Sequence, residues 1–244
     1  MSRSFVDFHS HILPGIDDGS RSAEESVAML KQEAKQGITH VVATPHFYAN
    51  YDAPERFLQR RSAAENALRE VLAEHAGLPG ISVGAEVYFF PGISDSEVLQ
   101  ELTIGKKGCI LIEMPHGPWS QSMYRELEGI YVKQNLTPVI AHIDRYIAPF
   151  RTHGIPERLA ELPVLVQANA QFFLDRSTSR LAMKMLRREQ IHLLGSDCHN
   201  LTSRAPNLGN ALEQIVHKLG QEMVDRISAT AGSLLELQNE DVYK

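Results

Sequence analysis

Cysteine is scarce in this sequence: Cys109 and Cys198 are the only two in 244 residues. Two cysteines cannot form the several bridges of a disulfide-stabilised secreted module, and such scarcity is typical of a reducing compartment. Long apolar runs are also missing, because no segment approaches the roughly 18 consecutive apolar residues of a transmembrane helix. The first residues, MSRSFVDFHS, lack the apolar stretch of a signal peptide. We therefore expect a cytoplasmic protein without membrane insertion.

Positive charge is in deficit. The chain has 24 Lys and Arg against 30 Asp and Glu, which gives a formal net charge of −6. Nucleic-acid-binding proteins rely on an excess of cationic side chains to contact phosphates, so no nucleic-acid partner is expected. The apolar fraction of 43% and the charged fraction of 22% are typical of a globular chain. No linker-like segment interrupts the sequence, and we expect residues 1–244 to form a single domain.

Short β-rich apolar segments alternate with helical segments along the chain. Ser22 and Glu25 form a capping-box pattern at one predicted helix start, and Pro54 opens another helix. The predicted strands cover residues 5–8, 39–44, 81–87, 109–114, 138–142, 164–168 and 191–195. Such alternation favours an α/β fold with a parallel sheet, and it allows either a doubly wound sheet or a closed barrel. The even spacing from the third strand onward favours a seven-stranded (β/α)7 barrel.

Metal-binding residue types fall at the ends of these predicted strands and in the turns that follow. They are His9, His11, Asp18, His46, Glu86, Glu113, His142, Asp197 and His199. The carboxyl ends of parallel strands meet at one edge of the fold, so these side chains are expected to converge. Any one of the histidines alone is more often a hydrogen-bonded core or surface residue, but burying the whole set without a cation demands a large matched network. Mixed imidazole and carboxylate ligands suit manganese, iron or zinc.

Six sequence strings occur in an order that resembles a known family. They are FVDFHSHILPGIDDGS, ATPH, GAEVYF, LIEMP, VIAHIDRY and GSDCHN. Together they resemble the PHP (polymerase and histidinol phosphatase) superfamily, and most of all the manganese-dependent protein-tyrosine phosphatases of bacterial capsule and exopolysaccharide operons. The resemblance runs from residue 5 to about residue 240. It implies a PHP-type metallophosphatase domain folded as a distorted seven-stranded parallel TIM-like barrel.

The resemblance also implies three divalent metal ions, with manganese expected and iron or zinc as alternatives. Transferred to this sequence, the first ion would be held by His9, His11, Glu86 and Asp197, the second by Glu86, Glu113 and His142, and the third by Asp18, His46 and His199. Asp18 and Glu113 stand where other PHP branches usually have histidine, and the tyrosine-phosphatase branch shares both substitutions. A water bridging the first two ions would be acidic enough to attack phosphorus.

Two arginines match positions that grip the phosphate in the family that this sequence resembles. Arg145 follows a predicted metal ligand in the string HIDR, and Arg204 ends the string NLTSR. A guanidinium group binds phosphate through paired hydrogen bonds, although either arginine is also compatible with a surface ion pair. The resemblance implies a phosphotyrosine protein as partner, namely the C-terminal tail of a bacterial tyrosine kinase. The oligomeric state stays open.

Other functions compete with tyrosine phosphatase activity. A small-molecule phosphatase, such as one acting on histidinol phosphate, would use the same metals. The acidic net charge weighs against a nuclease-like phosphoesterase, and the complete ligand set weighs against a binding module without turnover. Cys198 and Arg204 also match the Cys-x5-Arg pattern of cysteine-dependent tyrosine phosphatases, but no glycine lies between them to let backbone amides wrap a phosphate.

Two features near the predicted strand ends stay ambiguous. The aromatic segment Phe47–Tyr51 is expected either to wall the substrate pocket or to form a packed surface loop, and Trp119 either to contact substrate or to anchor a helix. Asp17, Asp144 and His116 are candidates for the general acid, each equally compatible with a structural role.

Overall fold

The computed structural model describes residues 5–106, 108–147 and 154–237. Its strands are β1 (Val6–Ser10), β2 (His40–Ala43), β3 (His46–Phe47), β4 (Gly80–Val83), β5 (Glu86–Tyr88), β6 (Cys109–Glu113), β7 (Thr137–Ile140), β8 (Leu165–Asn169) and β9 (Leu193–Gly195). Its α-helices are α1 (Ala23–Lys35), α2 (Pro54–Leu72), α3 (Gln121–Gln134), α4 (Asp144–Ile147), α5 (Ile155–Leu159), α6 (Ala170–Leu174), α7 (Ser179–Arg187), α8 (Leu208–Leu219) and α9 (Gln221–Leu235). Two 3₁₀ segments, Ile93–Asp95 and Glu97–Leu102, follow β5. Both ends of the expected 1–244 domain lie outside the described residues.

The strands form two parallel sheets. One has the order β1-β2-β4 and the other the order β3-β5-β6-β7-β8-β9. The predicted alternation of parallel strands and helices is therefore confirmed. The predicted single seven-stranded barrel is not seen in the strand pairing, because the third predicted strand, 81–87, is interrupted and the second, 39–44, is followed by a separate short strand in the other sheet. Pro45 has no amide hydrogen to donate, and it separates β2 from β3, while Gly84 separates β4 from β5.

The first strand lies beside the chain that follows the last strand. The amide of His11 donates to the carbonyl of Cys198 at 2.9 Å, and the amide of Asp197 donates to the carbonyl of His9 at 2.8 Å. A parallel bridge joins Ser10 to Cys198. Residues 9–11 and 197–199 are therefore neighbours, although almost the whole chain separates them.

Strands β1 and β6 are buried along their whole length, so both of their faces are covered. In β6, Ile110 and Ile112 belong to a large apolar cluster under the helices, while Leu111 belongs to a smaller cluster on the opposite face. Burial on both sides is typical of parallel sheets covered by helices, and it leaves the strand ends as the place for polar side chains. No helix within the described ranges is both long enough and apolar enough to cross a membrane.

Helix starts follow the local sequence signals. The Ser22 side chain accepts a hydrogen bond from the Glu25 amide at 3.3 Å and caps α1, and Pro54 occupies the first turn of α2, where no amide hydrogen is needed.

Candidate metal centre and phosphate site

Four side-chain atoms converge near the ends of β1 and β9 and at the start of β5. Nε2 of His9 lies 3.2 Å from Nε2 of His11. Each of these nitrogens lies 3.4–3.7 Å from Oε2 of Glu86 and Oδ1 of Asp197. Ligands about 2.1 Å from one ion lie roughly 3.0–3.5 Å from each other, so these separations are those of neighbouring ligands. The arrangement fits a metal ion held by two imidazoles and two carboxylates.

Two further groups adjoin this quartet. On one side, Nε2 of His142 lies 2.8 Å from Oε1 of Glu86 and 3.7 Å from Oε1 of Glu113. On the open side, Oδ1 of Asp18 lies 3.5 Å from Nε2 of His46 and 3.3 Å from Nε2 of His199. The structure thus brings the nine side chains that the sequence predicts as metal ligands close together, with Glu86 common to the first two groups and His46 of the third group facing Glu86.

Several of these polar atoms are buried without hydrogen-bond partners among the described residues. They include Nδ1 of His46, Nδ1 of His142 and Nε2 of His199. Nδ1 of His46 lies 2.9 Å from Oε2 of Glu86, but without the alignment of a hydrogen bond. Nε2 of His199 faces Asp18 in the same way. A buried polar atom without a partner is costly, and a cation between these atoms removes that cost. The residues present therefore fit divalent metal ions.

Local sequence explains how the ligand segments approach so closely. His9 and His11 lie two residues apart at the end of β1, so both side chains point to one side. A Cβ atom on Gly195 would lie 2.5 Å from Cβ of His9, so only glycine lets β9 pass so close. Oδ1 of Asp7 accepts hydrogen bonds from the amides of His9 and Ser196, at 3.2 and 2.8 Å, and so joins the two ligand segments.

Two of the converging residues have a left-handed backbone. The φ angle is +31° at His142 and +53° at Asp197. This region costs a residue with a Cβ atom about 1–2 kcal/mol, and such strain is typical of functional positions. Both residues directly follow a strand end, where the turn aims the side chain into the cluster.

The carboxylates and imidazoles of the cluster shift one another's pKa values. Burial alone would raise the pKa of Glu86, but the facing histidines hold it well below its ordinary value. Burial would likewise lower the pKa of His11, yet hydrogen bonds to Asp17 and Glu86 raise it to about 10. Without an ion, the acidic cluster therefore holds protons on imidazoles, and a metal ion would take over the role of that positive charge.

Asp17 and Gln167 support the cluster from behind. Oδ2 of Asp17 accepts a hydrogen bond from Nδ1 of His11 at 2.8 Å, which leaves Nε2 of His11 facing the cluster. Oε1 of Gln167 lies 2.6 Å from the His142 amide and 3.3 Å from Nδ1 of His9. The sequence pattern indicates Asp17 only as a candidate acid and does not predict the role of Gln167. The alternation of Gln167 and Asn169 at the end of β8 was the available signal, because both amides point to the same side.

Both predicted arginines reach the site through one carboxylate. Nη2 of Arg145 donates to Oδ2 of Asp197, and Nη2 of Arg204 donates to Oδ1 of the same residue at 2.7 Å. Their side chains are 32% and 36% exposed, so each guanidinium faces the cluster and the opening at once. This position suits binding of a phosphate that enters from solvent.

The other residues that the sequence singles out are buried or contact other side chains and backbone groups. Cys198 is fully buried, and burial raises the pKa of its thiol well above the ordinary value, so it does not supply a thiolate. Asp144 is half-buried and accepts a hydrogen bond from the Asn169 amide at 3.0 Å. The ring of Trp119 packs edge-on against Tyr146 at 5.1 Å, as a structural anchor does. His116 also packs near Tyr146, with ring centroids 6.1 Å apart.

Comparison with known proteins identifies the family. Residues 5–236 match the family described as capsular polysaccharide synthesis, CpsB/CapC. Tyrosine-protein phosphatase CpsB of Streptococcus pneumoniae is 32% identical over 88% of this chain and 91% of its own length. Tyrosine-protein phosphatase YwqE of Bacillus subtilis is 26% identical over 98% and 94%.

Solved structures agree with this at the level of the fold. A structure from work on B. subtilis YwqE and S. pneumoniae CpsB, described as unique metal-dependent tyrosine phosphatases, superposes with a TM-score of 0.84 at 22% identity and covers 96% of both chains. The phosphotriesterase homology protein of Escherichia coli superposes with a TM-score of 0.51 at 13% identity, over 95% of this chain and 99% of its own. The chain belongs to the CpsB/CapC family of capsular polysaccharide synthesis proteins.

Proposed function

We propose that this protein is a metal-dependent phosphomonoester hydrolase that removes phosphate from tyrosine residues of proteins. The observation that carries the proposal is the placement of two guanidinium groups, those of Arg145 and Arg204, on Asp197 at the open edge of a cluster of metal-binding side chains. The two relatives named above are both called tyrosine-protein phosphatases, which agrees with it.

Three divalent ions, with manganese expected, would occupy the three groups of side chains described above. When bound, they supply positive charge for a phosphate dianion and acidify a water for attack on phosphorus. His9, His11, Glu86 and Asp197 would hold the first ion, Glu86, Glu113 and His142 the second, and Asp18, His46 and His199 the third. The third group lies nearest to solvent, because the Asp18 side chain is 65% exposed.

Arg145 and Arg204 would bind the phosphate oxygens and stabilise the charge that grows on them during transfer. Their place at the opening supports this role. Leaving-group chemistry then favours phosphotyrosine. A phenol has a pKa of about 10, whereas the pKa of an alkyl alcohol is closer to the value of about 16 for water. An aryl leaving group therefore departs without a strong general acid. Asp17 is engaged with His11, and Asp144 with the Asn169 amide, so neither side chain is free to donate a proton.

The natural partner would be the phosphorylated C-terminal tail of a bacterial tyrosine kinase, and the protein would act in the cytoplasm. The link to capsule synthesis in the family description supports this partner. For the fold, we infer one domain with a distorted seven-stranded barrel, in which β2 with β3 and β4 with β5 each count as one interrupted strand. The amide of Glu86 donates to the carbonyl of Pro45 at 3.0 Å, which supports continuity across the interruptions.

The test is phosphate release from a phosphotyrosine peptide by protein loaded with manganese, beside a sample treated with a chelator. Turnover is expected only with metal, and it should return when manganese is restored. Activity that survives chelation would contradict the metal mechanism. Turnover of histidinol phosphate with none on the peptide would favour the small-molecule phosphatase instead.

A further inference from the structure

We propose that Tyr48 and Tyr51 form a binding subsite for the aromatic ring of the substrate, which selects aryl phosphates over alkyl phosphates. The inference deepens the proposed phosphatase function and rests on it. An open cavity of about 330 Å³ lies directly beside the candidate metal centre, with Asp18, His46, Tyr48 and Arg60 in its lining. That volume is at the lower end of small-molecule sites and suits one ring.

Three aromatic rings lie around the ring of Tyr48, beside the candidate metal centre. The ring of Tyr48 lies 5.4 Å from the ring of His46, 5.6 Å from that of Tyr88 and 6.4 Å from that of Tyr51, measured between centroids. These separations are those of interacting aromatic pairs. A phosphate bound at the metal-binding side chains and the arginines would therefore have an aromatic surface within one ring's reach.

The backbone of this turn is fixed, but the Tyr51 ring is not buried. The amides of Tyr51 and Asp52 both donate to the carbonyl of Tyr48, at 2.9 and 3.0 Å. Asp52 also forms an ion pair with Arg60 at 2.7 Å, which ties the turn to α2. The Tyr51 side chain is nevertheless 86% exposed. Tyr51 does not itself line the cavity, but its exposed ring lies edge-on to the ring of Tyr48, which does, and so extends that aromatic surface outward.

Phe47 marks the inner limit of the subsite. Its ring is fully buried and packs on Phe57, with centroids 5.0 Å apart. Of the aromatic segment Phe47–Tyr51, only Tyr48 and Tyr51 are therefore placed to meet a substrate. Phosphoserine and phosphothreonine carry no ring after the phosphate, so they would gain nothing from this surface.

The test compares Tyr51→Ala and Tyr51→Phe with the unchanged protein, each loaded with manganese. Two stable phosphonates serve as probes: phenylphosphonate carries a ring and methylphosphonate does not. Calorimetry gives their affinities, and inhibition of phosphotyrosine-peptide turnover gives a second measure. Tyr51→Ala should weaken phenylphosphonate binding by about 3- to 10-fold, leave methylphosphonate binding unchanged, and raise KM for the peptide. Tyr51→Phe keeps the ring and should retain the preference for phenylphosphonate over methylphosphonate.

Tyr131→Ala is the matched control, because Tyr131 is another exposed tyrosine, on α3. It should change neither affinity. Equal losses for both phosphonates, or no loss for either in Tyr51→Ala, would overturn the subsite. A protein that binds phenylphosphonate through Tyr51 but hydrolyses no phosphate ester would keep the subsite and refute the proposed function, so the two failures are distinguishable.

Discussion

Nδ1 of His11 lies 2.8 Å from Oδ2 of Asp17, and this contact fixes which nitrogen of the imidazole faces the metal-binding cluster. The same carboxylate accepts hydrogen bonds from the amides of Gly19 and His46, at 2.9 and 3.1 Å. These contacts keep Asp17 ionised, since they lower its pKa to about 2 against the opposing effect of burial. Asp17 therefore orients a metal-binding side chain but does not itself point at the metal-binding cluster.

Replacing Asp17 should weaken metal binding. Asp17→Ala removes the acceptor that orients His11, and loss of such an outer partner costs about 10- to 100-fold in metal affinity. Titration of metal-free protein with manganese in a calorimeter measures this directly. Asp175→Ala is the control, because Asp175 is an exposed carboxylate that accepts only a surface amide from Gln171. Equal affinity in both variants would exclude the positioning role.

Gln167 should matter through its side-chain oxygen. Gln167→Leu removes the acceptor for the His142 amide and for Nδ1 of His9, so manganese affinity should fall by about 10-fold or more. Gln167→Glu keeps an oxygen at that position and should retain most of the affinity. Comparable losses in both variants, at matched melting temperatures, would point to packing rather than orientation.

The arginines should affect turnover rather than metal binding. Arg145→Lys and Arg204→Lys keep the charge but lose the paired donors, and removal of a donor to transition-state charge lowers kcat by about 10²- to 10³-fold. Manganese affinity should be unchanged or tighter, because a cation that competes for Asp197 is weakened. Parallel loss of metal and activity would argue that the arginines act only by supporting the centre.

Metal binding should release protons. His11 has a pKa of about 10 in the metal-free protein, so at pH 7 it is charged and must lose a proton to bind a metal. The apparent affinity for manganese should therefore rise as the pH increases from 6 toward 10. Calorimetry in buffers with different ionisation enthalpies counts the protons, and an affinity independent of pH would contradict the assignment.

The same shift predicts how the stability of the metal-free protein depends on pH. The folded pKa of His11 lies above the ordinary value of 6.5, so its stabilising contribution is complete below pH 6.5 and is lost as the pH rises through about 10. The free energy of unfolding, from denaturant titration, should decrease over that range without metal. His11→Gln should show a smaller decrease.

Cys198 should be dispensable for turnover. Cys198→Ser should retain most of the activity, and alkylating reagents should have little effect on the folded protein, because the thiol is buried. Phosphate release from a phosphotyrosine peptide checks both points. A collapse of kcat in Cys198→Ser, with manganese affinity retained, would revive thiolate attack.

The convergence of the metal-binding side chains can be predicted from the sequence because they recur at the ends of the predicted strands. His46, Glu86 and His142 each follow a short apolar segment, and parallel strands end at one edge, so convergence follows from topology. The role of Gln167 cannot be predicted from the sequence, because glutamine has no metal-binding signature and its partner His9 lies 158 residues away. The division into two sheets occurs at Pro45 and Gly84, and the strand pattern instead predicts one continuous strand across Gly84.

Because β1 contacts the segment after β9, the site is assembled from residues that are synthesised at different times. A ribosome adds residues from the amino end, so His9 and His11 are synthesised before Asp197 and His199. Until those residues emerge, the nascent chain has only part of the donor set. Hydrolysis therefore cannot begin before His199 has been added, and a truncated product ending before residue 197 would be inert.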